Sequence, residues 1–192
     1  MASMADVPKT ILMLGKTGSG KGTQAELLAA KLGYKTFSTG DRFREIMQRE
    51  DPIGHRIREL HEAGKLVPHW FASYLFEERF LSADVDDGIV TEGVGRTREE
   101  AVLFDEVMGW LGREYVALEL LVSDESVIGR QLKRGRTDSN TEEKLETRLS
   151  EYRSSTARAL DFFREQGKLK TVDGEPPVEQ VFENVCTALG IS

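Results

Sequence analysis

The chain has 192 residues, 39% of them hydrophobic and 31% charged, the make-up of an ordinary soluble globular domain with a single core and room for small excursions. Its formal net charge is -7, with Lys+Arg 26 against Asp+Glu 33, which argues against a general binder of nucleic-acid polymers but leaves room for a local basic cleft. No apolar run approaches the length of a membrane span, residues 1–9 lack the layout of a secretory signal, and the single Cys186 excludes a disulfide framework or thiolate metal cluster, so the expected compartment is the cytoplasm.

The first element in chain order is a short apolar run at residues 10–14, the pattern of a buried strand. Residues 24–32 carry Leu27, Leu28 and Leu32 at helical spacing. Between them lies Gly15-Lys16-Thr17-Gly18-Ser19-Gly20-Lys21-Gly22-Thr23, which matches G-x-x-x-x-G-K-[ST] except that Gly22 takes the hydroxyl position and Thr23 follows it. Strand, glycine-rich turn and helix is the context this pattern needs. The backbone N–H groups of Gly18, Ser19, Gly20, Lys21, Gly22 and Thr23 can wrap a phosphate at a helix N-terminus, where the dipole favours negative charge. Lys21 can reach the β- and γ-phosphates, and Thr23 is the nearest hydroxyl for Mg²⁺. Glycines at such a turn can also serve packing alone, but their number, spacing and Lys21 together favour binding of a nucleoside triphosphate such as ATP.

Residues 35–37 read as a second strand, followed by helices at 41–50 and 53–63 broken by Asp51-Pro52. A turn at 64–68 precedes a helix at 70–81. The third strand, 89–91, ends in Glu92-Gly93, and a helix follows from about 98 to 111. The fourth strand spans 115–122 and is followed by a helix at 124–133. Beyond a polar excursion at 134–141, one long helix is expected to about 166. Residues 169–172 are less apolar and read as an edge strand, and a closing helix spans 178–189. Strands alternating with helices imply an α/β fold with a parallel sheet. Trp70 and Trp110, flanked by apolar residues, read as core anchors. His55, His61 and His69 show no metal-ligand spacing and read as surface or packing residues.

Arginine's planar fork grips phosphate oxygens at two points, which suits phosphoryl transfer. Arg44 and Arg96 follow strand ends, where open sheets bind ligands. Arg130, Arg134 and Arg136 cluster at the polar excursion, while Arg148 and Arg158 fall on the long helix. For Arg130 and Arg158 a salt-bridged surface role is an equal alternative, and Arg42 and Arg98 read as solvated neighbours. Glu92, ending a buried strand beside the glycine-rich turn, is a candidate to order Mg²⁺ through water. Its alternative is a helix cap or ion pair.

Taken in order, these segments resemble the adenylate kinase family of nucleoside monophosphate kinases, in its short-lid form. Residues 15–24 (GKTGSGKGTQ) are similar to the family's GxPGxGKGTQ, including Gly22. STGDRFR at 38–44 resembles STGDxxR, GKLVP at 64–68 resembles GxLVP, GVGRT at 93–97 stands where the family has GFPRT, and RGRTD at 134–138 resembles RGRxD. The resemblance covers nearly the whole chain. It implies a single P-loop NTPase domain over 1–192, with a five-stranded parallel sheet, a helical monophosphate-binding insert at 38–66 and a short lid at 130–141. It further implies reversible transfer of the ATP γ-phosphoryl group to AMP, giving two ADP, by a monomer that uses Mg²⁺.

By the same resemblance, Lys21, Arg96, Arg136 and Arg148 are catalytic, and the loop with Arg130 and Arg134 holds ATP. Thr39, Gly40, Arg44, Val67, Gly93, Arg96 and Glu100 take the acceptor, while Thr23 and Glu92 serve the metal. Several positions depart from the pattern. Glu100 replaces a Gln that donates and accepts at the adenine edge, and an ionised carboxylate can only accept. Val94-Gly95 replaces Phe-Pro, Glu92 replaces Asp, Ser139 stands where a second Asp is usual, and Lys16-Thr17 replaces an apolar–proline pair. These departures leave two alternatives open: a kinase for another acceptor base such as guanine, or a catalytically weak nucleotide-binding paralogue.

Overall fold

The computed structural model describes residues 7–63, 65, 67–134 and 141–191, without the side chain of Arg134. Five strands form one parallel sheet: β1 (Thr10–Gly15), β2 (Lys35–Ser38), β3 (Ile89–Glu92), β4 (Tyr115–Leu121) and β5 (Leu169–Asp173). Their spatial order is β2-β3-β1-β4-β5, with Thr10 level with both Ile89 and Tyr115. The central β1 is covered on both faces, so Ile11, Leu12 and Met13 are all fully buried and its sequence is a continuous apolar run. The edge strands β2 and β5 expose Lys35, Thr36, Lys170 and Thr171, which is why β5 reads as less apolar.

Helices cover the two faces. On one, α1 (Lys21–Leu32) and α9 (Val178–Leu189) bury Leu28, Ala29, Val181 and Val185. The other carries α4 (His69–Leu81), α5 (Arg98–Trp110) and α8 (Ala157–Glu165), whose Phe76, Phe80, Phe104 and Phe163 make a fully buried aromatic cluster. The chain runs to one side of β1 for β2 and β3 and to the other for β4 and β5. The carboxyl end of β1 is therefore a topological switch point, where an open sheet receives ligands.

The stretch after β2 folds as two helices, α2 (Thr39–Met47) and α3 (Pro52–Glu62). Ser38 caps α2 by accepting from the Asp41 N–H at 3.2 Å, and Asp51 caps α3 from the Gly54 N–H at 2.8 Å, with Pro52 opening the helix. Gly54 lies close against the end of α2 and the connection after it, where a Cβ would be 2.9 Å from the Ile46 carbonyl oxygen and 2.2 Å from that of Arg49.

Two expectations need correction. The long helix beyond Thr141 is broken: α7 (Glu142–Glu151) runs into one π-helical turn, Tyr152–Thr156, before α8. Such widened turns occur often at functional sites. The tryptophans are also not core anchors, since Trp70 is 64% exposed and Trp110 is 79% exposed. In α4 the buried stripe is Ala72, Leu75, Phe76 and Phe80, which leaves Trp70 and Tyr74 on the other side, with Trp70 stacked on Phe71. In α5 the buried stripe runs Ala101, Phe104, Met108, and Trp110 lies off it at the helix end. Among the described residues, no helix is long and apolar enough to cross a membrane.

Candidate active site

The loop joining β1 to α1 depends on glycine for its shape. Gly15, Gly18 and Gly20 all have positive φ, and a Cβ would lie 2.7 Å from the Leu120 carbonyl oxygen at Gly15 and 2.8 Å from Gln131 Cγ at Gly18. Gly20 opens α1 without a side-chain cap, so the first helical N–H groups remain directed into the loop. The buried Ser19 hydroxyl has no hydrogen-bond partner among the described residues. Lys21 folds over this cradle, its Nζ donating to the carbonyls of Gly15 at 2.8 Å and Lys16 at 2.6 Å.

The loop is anchored to α6 (Asp124–Arg134) by contacts that the sequence did not reveal. Lys16 Nζ donates to the Val122 carbonyl at 2.7 Å and pairs with Asp124 at 2.5 Å, while Asp124 also meets Arg153 at 2.5 Å. Hydrogen bonds from Lys16 and then Arg153 hold the Asp124 carboxyl below its usual range. Thr17 Oγ1 accepts from Gln131 Nε2 at 2.8 Å. The departure from the apolar–proline pair thus adds two polar ties to the neighbouring helix.

Glu92 closes β3 level with Met13 on one side and Ser38 on the other. Its Oε1 accepts from Ser38 Oγ at 3.1 Å, and a Cβ at Gly22 would lie 3.3 Å from that same oxygen. A side chain at 22 would be tight against Glu92, whose carboxylate would have to shift by a few tenths of an ångström. Next along, Thr39 Oγ1 donates to the Gly93 carbonyl at 2.8 Å. Gly93 has φ 83°, and its Cβ would lie 2.3 Å from Thr39 Oγ1 and 3.0 Å from Arg96 Nη2, so only glycine fits there.

These residues border a cleft of about 300 Å³. Of the candidates, Gly18, Gly20, Lys21, Gly22, Thr23, Gly40, Arg44, Val67, Glu92, Gly93, Arg96 and Arg148 line it. Cations reach it from several elements, Lys21 from α1, Arg44 from α2, Arg96 from the β3–α5 turn and Arg148 from α7, and the carboxylates of Glu26, Asp41, Glu92 and Glu151 line it as well. Arg44 pairs with Asp41 one helical turn before it. His61, Tyr152 and Thr156 also line the cleft, although the histidine reads from sequence as a surface or packing residue. Tyr152 donates to Glu119 at 3.0 Å, and burial followed by the Glu119 charge pushes its phenol pKa up.

Four candidates lie elsewhere. Ser19 and Thr39 are buried under the cleft wall rather than on it. Arg130 points to the β5–α9 loop, donating to the carbonyls of Gly174 at 3.0 Å and Glu175 at 3.1 Å. Glu100, expected at the acceptor base, does not line the cleft. It occupies the third position of α5, its N–H donating to the capping Thr97 Oγ1 at 3.2 Å, and its Oε2 accepts from the Arg96 N–H at 2.7 Å. A Glu three residues after a Thr cap folds back over the first turn. Burial raises the Glu100 pKa, opposed by the Arg96 N–H and then by the Arg96 charge. Arg136 and Ser139, with the side chain of Arg134, fall outside the described residues.

The same loop, strand ends and α7 arginine fall inside a recognised sequence family. The family model described as adenylate kinase matches residues 13–168. The chain is 36% identical to adenylate kinase 1 of Nostoc sp. over 183 residues, covering 94% of this chain and 98% of the relative. It is 36% identical to the adenylate kinase of Nocardia farcinica over 181 residues, covering 94% and 98%. The adenylate kinase of Corynebacterium urealyticum is 37% identical over 180 residues, covering 93% and 98%. With a glycine cradle at the end of β1 and a match spanning that cradle and the three segments that bring Arg44, Arg96 and Arg148 to the cleft, the chain belongs to the adenylate kinase family.

Proposed function

We infer that this protein is an ATP-dependent kinase that reversibly transfers the γ-phosphoryl group of ATP to AMP, giving two ADP. The observation that carries this reading is the convergence of Lys21, Arg44, Arg96 and Arg148 on one cleft with the glycine cradle. The cradle and Lys21 hold the triphosphate of ATP. Arg44 and Arg96 hold the monophosphate, with Thr39, Gly40, Val67 and Gly93 shaping the wall on the acceptor side. Arg148 neutralises charge on the transferring group together with Arg136, and Arg130 and Arg134 serve the donor side. The acceptor phosphate oxygen is already anionic, so in-line attack on the γ-phosphorus needs no general base. Positioning and electrostatic stabilisation supply the catalysis.

Thr23 and Glu92 offer a hydroxyl and a carboxylate on the cleft wall, donors that suit a hard cation. They would hold Mg²⁺, Glu92 through water, and the ion would neutralise charge on the β- and γ-phosphates. Residues 38–66 act as the flap over the monophosphate and 130–141 as the lid over the triphosphate. A monomer is the proposed state, since one chain brings Lys21, Arg44, Arg96 and Arg148 to the same cleft. The buried free Cys186 is compatible with the reducing cytoplasm.

ADP formation from ATP, AMP and Mg²⁺ tests the reading. Two ADP are expected for each AMP consumed, the reverse reaction from ADP alone, and at least about a 100-fold loss when Mg²⁺ is chelated. ADP production that is indifferent to AMP would contradict it.

A further inference from the structure

We propose that Glu100 is a positioning residue for transfer, fixing the phosphate-clamping Arg96 by holding its backbone in place. The inference rests on the reading of Arg96 as a monophosphate clamp.

Between the end of β3 at Glu92 and the start of α5 at Arg98, the chain turns through Gly93-Val94-Gly95-Arg96-Thr97. Both glycines have positive φ, 83° and 67°, and no proline stiffens the turn. A segment with two glycines samples many backbone states unless its surroundings select one. The first half is secured by burial of Val94, 1% exposed, and by the Thr39 bond to the Gly93 carbonyl. At Gly95 a Cβ would come within 3.2 Å of the Phe163 ring, so the chain passes close against the core there. The second half is secured at the backbone of Arg96 by Glu100 Oε2, at 2.7 Å.

Two features separate this bond from ordinary helix capping. Thr97 already caps α5, so the helix start does not require Glu100. The carboxylate also reaches past the cap residue to the residue before it, which is the root of the guanidinium that lines the cleft. Glu100 is only 4% exposed, and a buried carboxylate is costly unless its hydrogen bonds are satisfied. The Arg96 N–H supplies such a bond, so the orientation of Glu100 and the path of Arg96 are selected together. Glu100 is not among the residues that line the cleft. Its influence reaches transfer through the placement of Arg96, where an error near 1 Å lowers rate by about 100-fold.

The test is a double-mutant cycle in the full-length enzyme, with kcat expressed per folded, active-site-titrated molecule. Glu100→Ala is expected to lower kcat/KM for AMP by about 10- to 100-fold, with part of the loss in kcat. Glu100→Gln keeps an oxygen acceptor at the same reach and is expected to recover activity to within about 3-fold. In an Arg96→Ala background, Glu100→Ala is expected to add less than about 2-fold, because the group it positions is gone. A full multiplicative loss in that background would overturn the inference, as would a Glu100→Gln enzyme no better than Glu100→Ala. So would a loss confined to thermal stability with kcat unchanged. If Glu100→Ala does not fold, Glu100→Asp replaces it in the cycle, since it keeps the charge but shortens the reach by one methylene. Wild-type turnover by Arg96→Ala would instead overturn the clamp assignment, and this inference with it.

Discussion

Lys21→Ala is expected to lower kcat/KM by at least about 100- to 1,000-fold while leaving the protein folded. The ammonium is a charged donor at the glycine cradle, on the first residue of α1. It bonds to two loop carbonyls, Gly15 and Lys16. Its removal forfeits those local bonds together with the cost of keeping an ammonium part-buried. The backbone of the loop is shaped instead by three glycines of positive φ and tied by Lys16 to Val122 and Asp124. Steady-state kinetics beside a thermal melt would check this. The account expects activity to collapse with little change in melting temperature. Unfolding on substitution would mean the lysine is structural, and retained turnover would remove it from the site.

Arg96→Ala is expected to cost about 100- to 1,000-fold in kcat/KM, divided between a raised KM for AMP and a lowered kcat. The guanidinium belongs to the short β3–α5 turn and lies over Gly93, where an added Cβ would sit 3.0 Å from its Nη2. It lines the same cleft as Arg44 on α2. A phosphate lying between two fixed cations is oriented as well as neutralised, so losing one affects both binding and attack geometry. Varying AMP at saturating ATP and then ATP at saturating AMP separates the roles. The account expects the KM for AMP to rise while the KM for ATP moves by less than about 3-fold. A defect confined to ATP would place Arg96 on the donor side.

Sequence and structure agree best where the determinants are local. The loop's glycines, its lysine and the flanking strand and helix lie within two dozen residues, so one short pattern specifies the cradle. The parallel sheet follows from short strands alternating with helices, and exposed Lys170 and Thr171 mark β5 as an edge. What sequence does not show are pairings between distant segments. Lys16 meets Val122 across 106 positions and Gln131 meets Thr17 across 114, and nothing in either neighbourhood announces the partner. Helical periodicity places Trp70 and Phe76 on one helix without saying which stripe faces the core, and α4 has apolar residues on more than one side. The π-helical turn at Tyr152–Thr156 carries no proline or glycine to mark it. Glu100 was visible as a departure from a family pattern. Only its hydrogen bonds show it turned towards Arg96.

The fate of the γ-phosphorus tests the central claim most directly. With γ-labelled ATP, unlabelled AMP and Mg²⁺ followed through a single turnover, the label should appear in the β-position of the ADP formed from AMP. Label released as inorganic phosphate, or retained on the protein, would contradict direct transfer between two nucleotides bound in one cleft.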